Sequence, residues 1–202
     1  MRRLLWPCLT WCLATGCPAT RAPGDVDLGT YEMHADPVSF EGCELPDAGE
    51  GVDAGFLLAP AGFDFEATFS LEADSGRAFM TIGATARDAG WDGQVLDSTA
   101  SAQRQFTTCA ACTTVVTETL VVALLSRSQA EPGALACPAN PLDGGTPPPD
   151  DAGVTGPGLT DAGFDSVLAC GELHATVVAD GGACPDVCHT CATSFSLQGR
   201  RK

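Results

Sequence analysis

The sequence predicts a mainly β protein: an antiparallel β-sandwich or small β-barrel, stapled by disulfides, with long loops rich in Pro, Gly and Asp. Three observations predict it. Residues 63–73 alternate apolar and polar side chains without a fault, turn-forming Asp, Gly and Ser recur between such stretches, and eight cysteines follow an N-terminal segment of export type. Alternation with a period of two is the mark of a strand buried on one side. Eight cysteines in an oxidising compartment pair by default.

Each element follows from local pattern. Residues 30–35 (Thr-Tyr-Glu-Met-His-Ala) alternate, and Pro37 is expected to end that strand or to mark a sheet edge. In residues 63–73 one face is Phe63, Phe65, Ala67, Phe69 and Leu71; the other is Asp64, Glu66, Thr68, Ser70 and Glu72. Asp74-Ser75-Gly76 supplies turn chemistry, and Ala78, Met80, Ile82 and Ala84 resume the alternation, so residues 63–86 read as a hairpin. Residues 113–125 fit a helix face through Val116, Leu120 and Leu124, but the β-branched run at 113–117 favours a strand. Leu173, Ala175, Val177 and Ala179 form a further strand, and Phe195 with Leu197 a short last one. Residues 46–62 and 132–163 read as loops, the second as a long mobile excursion. Asp-Ala-Gly recurs at Asp47, Asp53, Asp88, Asp151 and Asp161 with irregular spacing, which marks turns and linkers and excludes a solenoid.

The N-terminus is read as a leader. Arg2 and Arg3 precede an apolar stretch at residues 4–13, too short to span a bilayer, and Ala14-Thr15-Gly16-Cys17 follows. Small residues before a cysteine resemble the lipobox of bacterial lipoproteins, in which the Cys thiol takes a diacylglycerol and becomes the new N-terminus. Ala14 stands where that family usually has Leu. An ordinary signal peptide cleaved at a nearby small residue is the plainer alternative. The resemblance implies lipidation at Cys17, and Pro18 after it, in place of Asp, implies the outer membrane or cell surface. The expected organisation is a leader at 1–16, a lipid anchor and tether at 17–27, and one β-domain at 28–202 with its long loop at about 132–163.

Charge narrows the partners. The chain carries 26 acids against 10 bases, a formal net charge of −16. Phosphates would be repelled, which argues against nucleic acid as a partner. The same surface should not adhere electrostatically to anionic headgroups, so membrane attachment would rest on the lipid. A membrane-spanning barrel is not expected either: once Trp6 and Trp11 leave with the leader, one Trp and one Tyr remain, too few for aromatic girdles.

The disulfide candidates are Cys43, Cys109, Cys112, Cys137, Cys170, Cys184, Cys188 and Cys191. Two CxxC units, at Cys109/Cys112 and Cys188/Cys191, could hold a zinc ion or form a redox centre. Their wide separation is unlike a compact zinc ribbon, and neither opens a helix as thioredoxin-like sites do. Cys184 and Cys188-His189 are similar to a c-type haem attachment motif with one extra residue between the cysteines. Structural bridges account for all of these without any metal or cofactor. Linking the Cys184–Cys191 cluster to Cys109 or Cys112 would close a longer loop, and remove more unfolded-chain entropy, than bridging within a CxxC.

Catalytic constellations are missing. No Gly-x-Ser-x-Gly, His-Glu-x-x-His or P-loop occurs, and His34, His174 and His189 lie far apart in sequence. His174 is expected to face solvent, and Asp64, Glu66 and Glu72 to form a solvated face in preference to a lumen of paired carboxylates. The Asp-rich loops lack the EF-hand ligand pattern. Trp91, set between Gly90 and Gly93, is the ligand-binding candidate: a lid over a barrel end, or an exposed platform for a sugar or peptide.

As a whole the chain resembles Cys-rich lipoproteins of the myxobacterial type. The resemblance rests on the lipobox, the Asp-Ala-Gly linkers, Cys137-Pro138, Cys170-Gly171-Glu172-Leu173 and the ending Phe195-Ser196-Leu197-Gln198-Gly199-Arg200. That group carries no established activity, so the resemblance implies location alone. The reading is a lipid-anchored cell-envelope binding or structural module, with an envelope glycan, peptide or protein as partner. The rival is a thiol–disulfide oxidoreductase using a CxxC pair.

Overall fold

The computed structural model describes residues 23–41, 62–83, 85–105, 112–130, 135–143, 159–160, 163–180 and 188–202. It contains ten strands: β1 (Val26–Glu41), β2 (Phe63–Leu71), β3 (Ala78–Ile82), β4 (Thr85–Trp91), β5 (Val95–Gln105), β6 (Thr113–Leu125), β7 (Leu159–Thr160), β8 (Gly163–Phe164), β9 (Leu168–Asp180) and β10 (Cys191–Arg201). Eight of them close a barrel in which β1 to β6, β9 and β10 follow one another in chain order and β10 pairs back onto β1; β7 and β8 form a separate two-stranded sheet. Every pairing is antiparallel. The expected disulfide-stapled antiparallel β fold is therefore present, as a closed up-and-down barrel.

The perfect alternation at residues 63–73 becomes β2, the turn at 72–77 leads into β3, and the β-branched run becomes β6. Other expectations need correction. Pro37 neither ends β1 nor marks an edge. The strand runs on to Glu41, with a register shift between Pro37 and Ser39 that leaves Val38 bulged out and 69% exposed. Proline lacks only its own donor, and a bulge beside it absorbs the mismatch. The last strand is not short, because β10 spans 11 residues. Trp91 is not inside a turn but closes β4, ahead of the turn at Asp92 and Gly93.

The barrel has an apolar inside and a polar outside. Eight tilted strands leave an interior just wide enough for side chains to fill. Here Tyr31, Met33, Phe69, Met80, Leu120, Leu173 and Phe195 fill it, each at most 2% exposed. Glu32, His34, Asp64, Glu66, Glu172 and His174 point outward. A lipid-facing barrel would show the reverse polarity. Fully burying one such side chain is worth roughly 1.5–3 kcal/mol, so this interior is the main source of stability.

A second apolar layer lies on the outer wall. Ala123, Leu125, Leu168 and Cys170 are covered by Ala130, Leu135, Cys137 and Leu142. The Cys137–Cys170 bridge fixes that cover. Part of the expected mobile excursion is thus clasped to the barrel: residues 135–143 pack on β6 and β9, with a 3-10 turn at Pro141–Asp143.

Two glycines are dictated by geometry. Gly29 sits at the first bulge of β1 with φ of 119°, and a Cβ there would meet Arg201 Nε at 2.9 Å. A Cβ at Gly171 would collide with the Val121 backbone, so β9 can lie this close to β6 only with glycine at that position.

The two rims differ. At the near rim β1 begins, β10 ends, the 72–77 and 92–94 turns lie and the 126–167 connection leaves β6 and enters β9; the far rim takes the short link between β3 and β4 and the connections 42–62, 106–112 and 181–190.

Candidate functional site

Four arrangements of polar or reactive groups stand on this frame: a buried ion pair, a hydrogen-bonded plug at the near rim, a groove on the outer wall, and the cysteine bridges.

The ion pair follows from strand alternation. β4 turns Arg87 inward while Ala86 and Asp88 are exposed, and β6 turns Val116, Glu118 and Leu120 inward. Arg87 Nη2 donates to Glu118 Oε2 at 2.9 Å, with the two side chains 5% and 0% exposed. Space for them comes from alanine: Glu118 has Ala100 as its register partner on β5 and Ala175 on β9. The sequence reading missed both residues. The signal was present, since Glu118 shares a strand face with Val116 and Leu120, and a carboxylate on an apolar face requires a buried counter-charge.

The near rim is plugged. The Tyr31 hydroxyl lies 3.0 Å from Ser166 Oγ and 3.1 Å from the Leu28 carbonyl, and Ser166 Oγ lies 3.2 Å from the Leu125 carbonyl. Arg201 Nη1 donates to the carbonyls of Phe164 and Ser166. Burial pushes the Tyr31 phenol above its ordinary value of 10, more than the Ser166 hydrogen bond lowers it. Trp91 is half-buried and packs edge-on against Phe164, ring centroids 5.8 Å apart. It is a partly buried side chain packed against the apolar core.

The outer groove crosses β10, β1 and β2 and encloses about 720 Å³, open to solvent. Its floor is a ladder of cross-strand pairs. Glu32 faces Glu66 and His34 faces Asp64; the next rung of the ladder, outside the groove, is Thr30 with Thr68 at 2.9 Å. Like charges directly opposite each other are destabilising, and Lys202 offsets this by bridging Glu66 and Glu32, the latter at 3.7 Å. His34 Nδ1 lies 2.6 Å from Asp64 Oδ1 and Nε2 3.2 Å from Asp36 Oδ1. The Asp64 hydrogen bond raises the His34 pKa above 6.5, the nearby Asp36 carboxylate adding to it. Asp64 and Glu66 thus line the outer wall and not the lumen. His174 is exposed, 3.0 Å from Glu172.

Of the disulfide candidates, Cys112 pairs with Cys188, Cα atoms 5.7 Å apart, and Cys137 with Cys170. Cys191 is also disulfide-bonded. Neither CxxC closes on itself, because each gives one cysteine to the bridge between them. That bridge consumes two thiols that a zinc site would need and one that a haem-like attachment at Cys184 and Cys188 would need. Among the described residues no group of three or more His, Cys, Asp or Glu is placed to hold a metal ion. Cys17, Cys43, Cys109 and Cys184 lie outside the described residues.

No family model, curated protein or solved structure matches the chain.

Proposed function

We propose that the protein is a lipid-anchored module of the cell envelope that engages its partner on the outside of a rigid, disulfide-locked barrel. The observation that carries this reading is the filled interior: aromatic and aliphatic side chains occupy the lumen, while the open concavity lies on the outer wall. A carrier of small apolar ligands needs the opposite arrangement. Groups that recognise a polar peptide or glycan face solvent at the groove, with carboxylates, an imidazole and two bases in one concave face.

The oxidoreductase reading requires a dithiol that closes and opens within one CxxC. The Cys112–Cys188 link counts against it, since it spans 76 residues and joins two different units. Cys112 is fully buried as well, which keeps its sulfur from a substrate disulfide.

Anchoring is tested by intact mass and fractionation. The expected mature chain begins at Cys17 with added acyl mass, and Cys17→Ser should move the protein from the membrane to the soluble fraction. An unmodified chain starting elsewhere would end the lipoprotein reading. Ready alkylation of Cys112 or Cys188 in the native protein would reinstate the oxidoreductase.

A further inference from the structure

The geometry points to a fixed polarity on the membrane: we infer that the near rim faces the lipid surface and the far rim points away from it. The inference rests on the Cys17 anchor proposed above and adds to it the place where the tether joins the barrel. β1 begins at Val26, on the near rim, only nine residues after Cys17. Nine residues span at most about 30 Å even when fully extended. The 13 residues of β6 rise about 44 Å along the strand, or roughly 34 Å along the axis at the usual barrel tilt of about 40°. A leash no longer than the barrel is tall, attached at one end of it, holds that end toward the bilayer.

Charge placement agrees independently. The chain as a whole is strongly acidic, yet Arg77, Arg127, Arg200 and Lys202 all lie on turns or strand ends of the near rim. The other described bases are Arg201, folded onto the plug at the same rim, the buried Arg87, and Arg104 on β5 toward the far rim. The near rim also carries Asp25, Asp27, Glu72, Asp74, Asp92 and Asp165. Its charge is therefore mixed, whereas the described strand ends of the far rim carry Asp36, Glu41, Asp64 and Asp180 against Arg104, so an anionic surface repels the near rim less. The near rim takes the turns at 72–77 and 92–94 and the long 126–167 connection, whose residues 164–166 form the plug there, and the far rim takes the short link between Ile82 and Thr85 and the connections 42–62, 106–112 and 181–190. A partner arriving from outside the membrane thus meets the far rim and the outer wall first.

Trp91 makes the polarity measurable, because it is the only Trp left once the leader is removed and it stands at the near rim. The full-length acylated protein is reconstituted into phosphatidylcholine vesicles containing a dansyl-headgroup lipid, and energy transfer from Trp is read. The comparison is the Trp91→Phe/Val178→Trp variant, whose Trp would stand near the end of β9, where Val178 is 55% exposed. Val38→Trp in the same Trp91→Phe background serves if that variant does not fold. Several-fold stronger transfer from Trp91 is expected. Equal or reversed transfer from an acylated, vesicle-bound protein overturns the polarity alone. A chain without acyl mass that fails to bind vesicles overturns both the anchor and the polarity.

Discussion

Replacing Glu118 by Leu should be among the most damaging single changes in this barrel, and the reason is electrostatic. Arg87 and Glu118 are 2.9 Å apart with almost no solvent at either side chain. At an effective dielectric of about 20 their attraction is about 6 kcal/mol, comparable to the several kcal/mol each ion loses on leaving water. The pair therefore comes close to balance, but one member alone does not. Removing Glu118 leaves the Arg87 guanidinium buried without this carboxylate, a change that typically costs about 3–5 kcal/mol. For a domain of this size each kcal/mol moves Tm by roughly 2–4 °C, so a loss of about 4 kcal/mol predicts a fall of about 8–16 °C. The second half of the test is the double variant Arg87→Met/Glu118→Leu, which exchanges the pair for apolar side chains. It should recover most of the lost stability, since buried pairs are often matched or exceeded by well-packed hydrophobes. Thermal unfolding followed by circular dichroism, on both single variants and the double, gives the coupling energy, expected to be at least about 2 kcal/mol. Strictly additive single changes, or a Glu118→Leu shift under about 2 °C, would show that the pair is solvated and the reasoning wrong.

Further outcomes follow from other parts of the barrel. Tyr31 is the only tyrosine, so absorbance titration reports it alone. Its raised pKa means that stability contributed by the neutral phenol is complete below pH 10 and lost as pH rises through the higher folded value; ionisation near pH 10 in the folded protein would contradict its burial. His34 should titrate above 6.5 by NMR, with Asp64→Asn bringing it down, and the stability gained from its protonated form should fade as pH rises through that folded value. An unshifted His34 would rule out the Asp64 contact in solution. Loss of the Cys112–Cys188 bridge through paired Ser substitutions should destabilise by roughly 4.5 kcal/mol in the chain-entropy model, against about 3.7 for Cys137–Cys170, given separations of 76 and 33 residues. Urea denaturation checks the order, and a larger loss for the shorter loop would mean that strain or packing decides instead. Trp91 emission should be blue-shifted and poorly quenched by iodide if its packing on Phe164 persists in solution; exposed-type emission would favour a stacking platform.

The parts of this architecture that showed in the sequence are those where one strand face is apolar and the other polar. β2 alternates Phe and Ala against Asp, Glu and Thr, and its face assignment holds from Phe63 to Phe69; Ser70, expected on the polar face, is buried, where its hydroxyl donates to the Pro23 carbonyl. β5 gave no such signal, because after Leu96 its inward residues are Ser98, Ala100 and Ala102, small or polar side chains that leave room for the Arg87–Glu118 pair. β4 was hidden for the same reason: its inward Arg87 reads as a solvent residue until a partner two strands away is known. The outer layer at 135–143 escaped notice since loop composition does not reveal which wall a loop covers, and only Cys137 hinted at a tie. The groove was invisible for a different reason. Glu32, His34, Asp64 and Glu66 look like an ordinary hydrated face, and only the register of β1 with β2 and β10 brings them opposite one another.

Closure of the barrel by β1 against β10 has a consequence for how the chain is made. Tyr31 pairs with Arg201 and Glu41 with Ala192, so the seam joins segments 151 to 170 residues apart (192 − 41 and 201 − 31). As the chain emerges from a ribosome or a translocation channel, the hairpins β2–β3 and β5–β6 can form early from nearby residues. The ring itself has to wait for the last strand. Until then one side of β1 and the free side of the newest strand both present unpaired backbone donors and acceptors, templates onto which another growing chain can add. Non-local pairing of this kind places the rate-limiting step at milliseconds to seconds, not microseconds. The interval between emergence and closure is the period in which this protein is most exposed to aggregation and most in need of a holding chaperone.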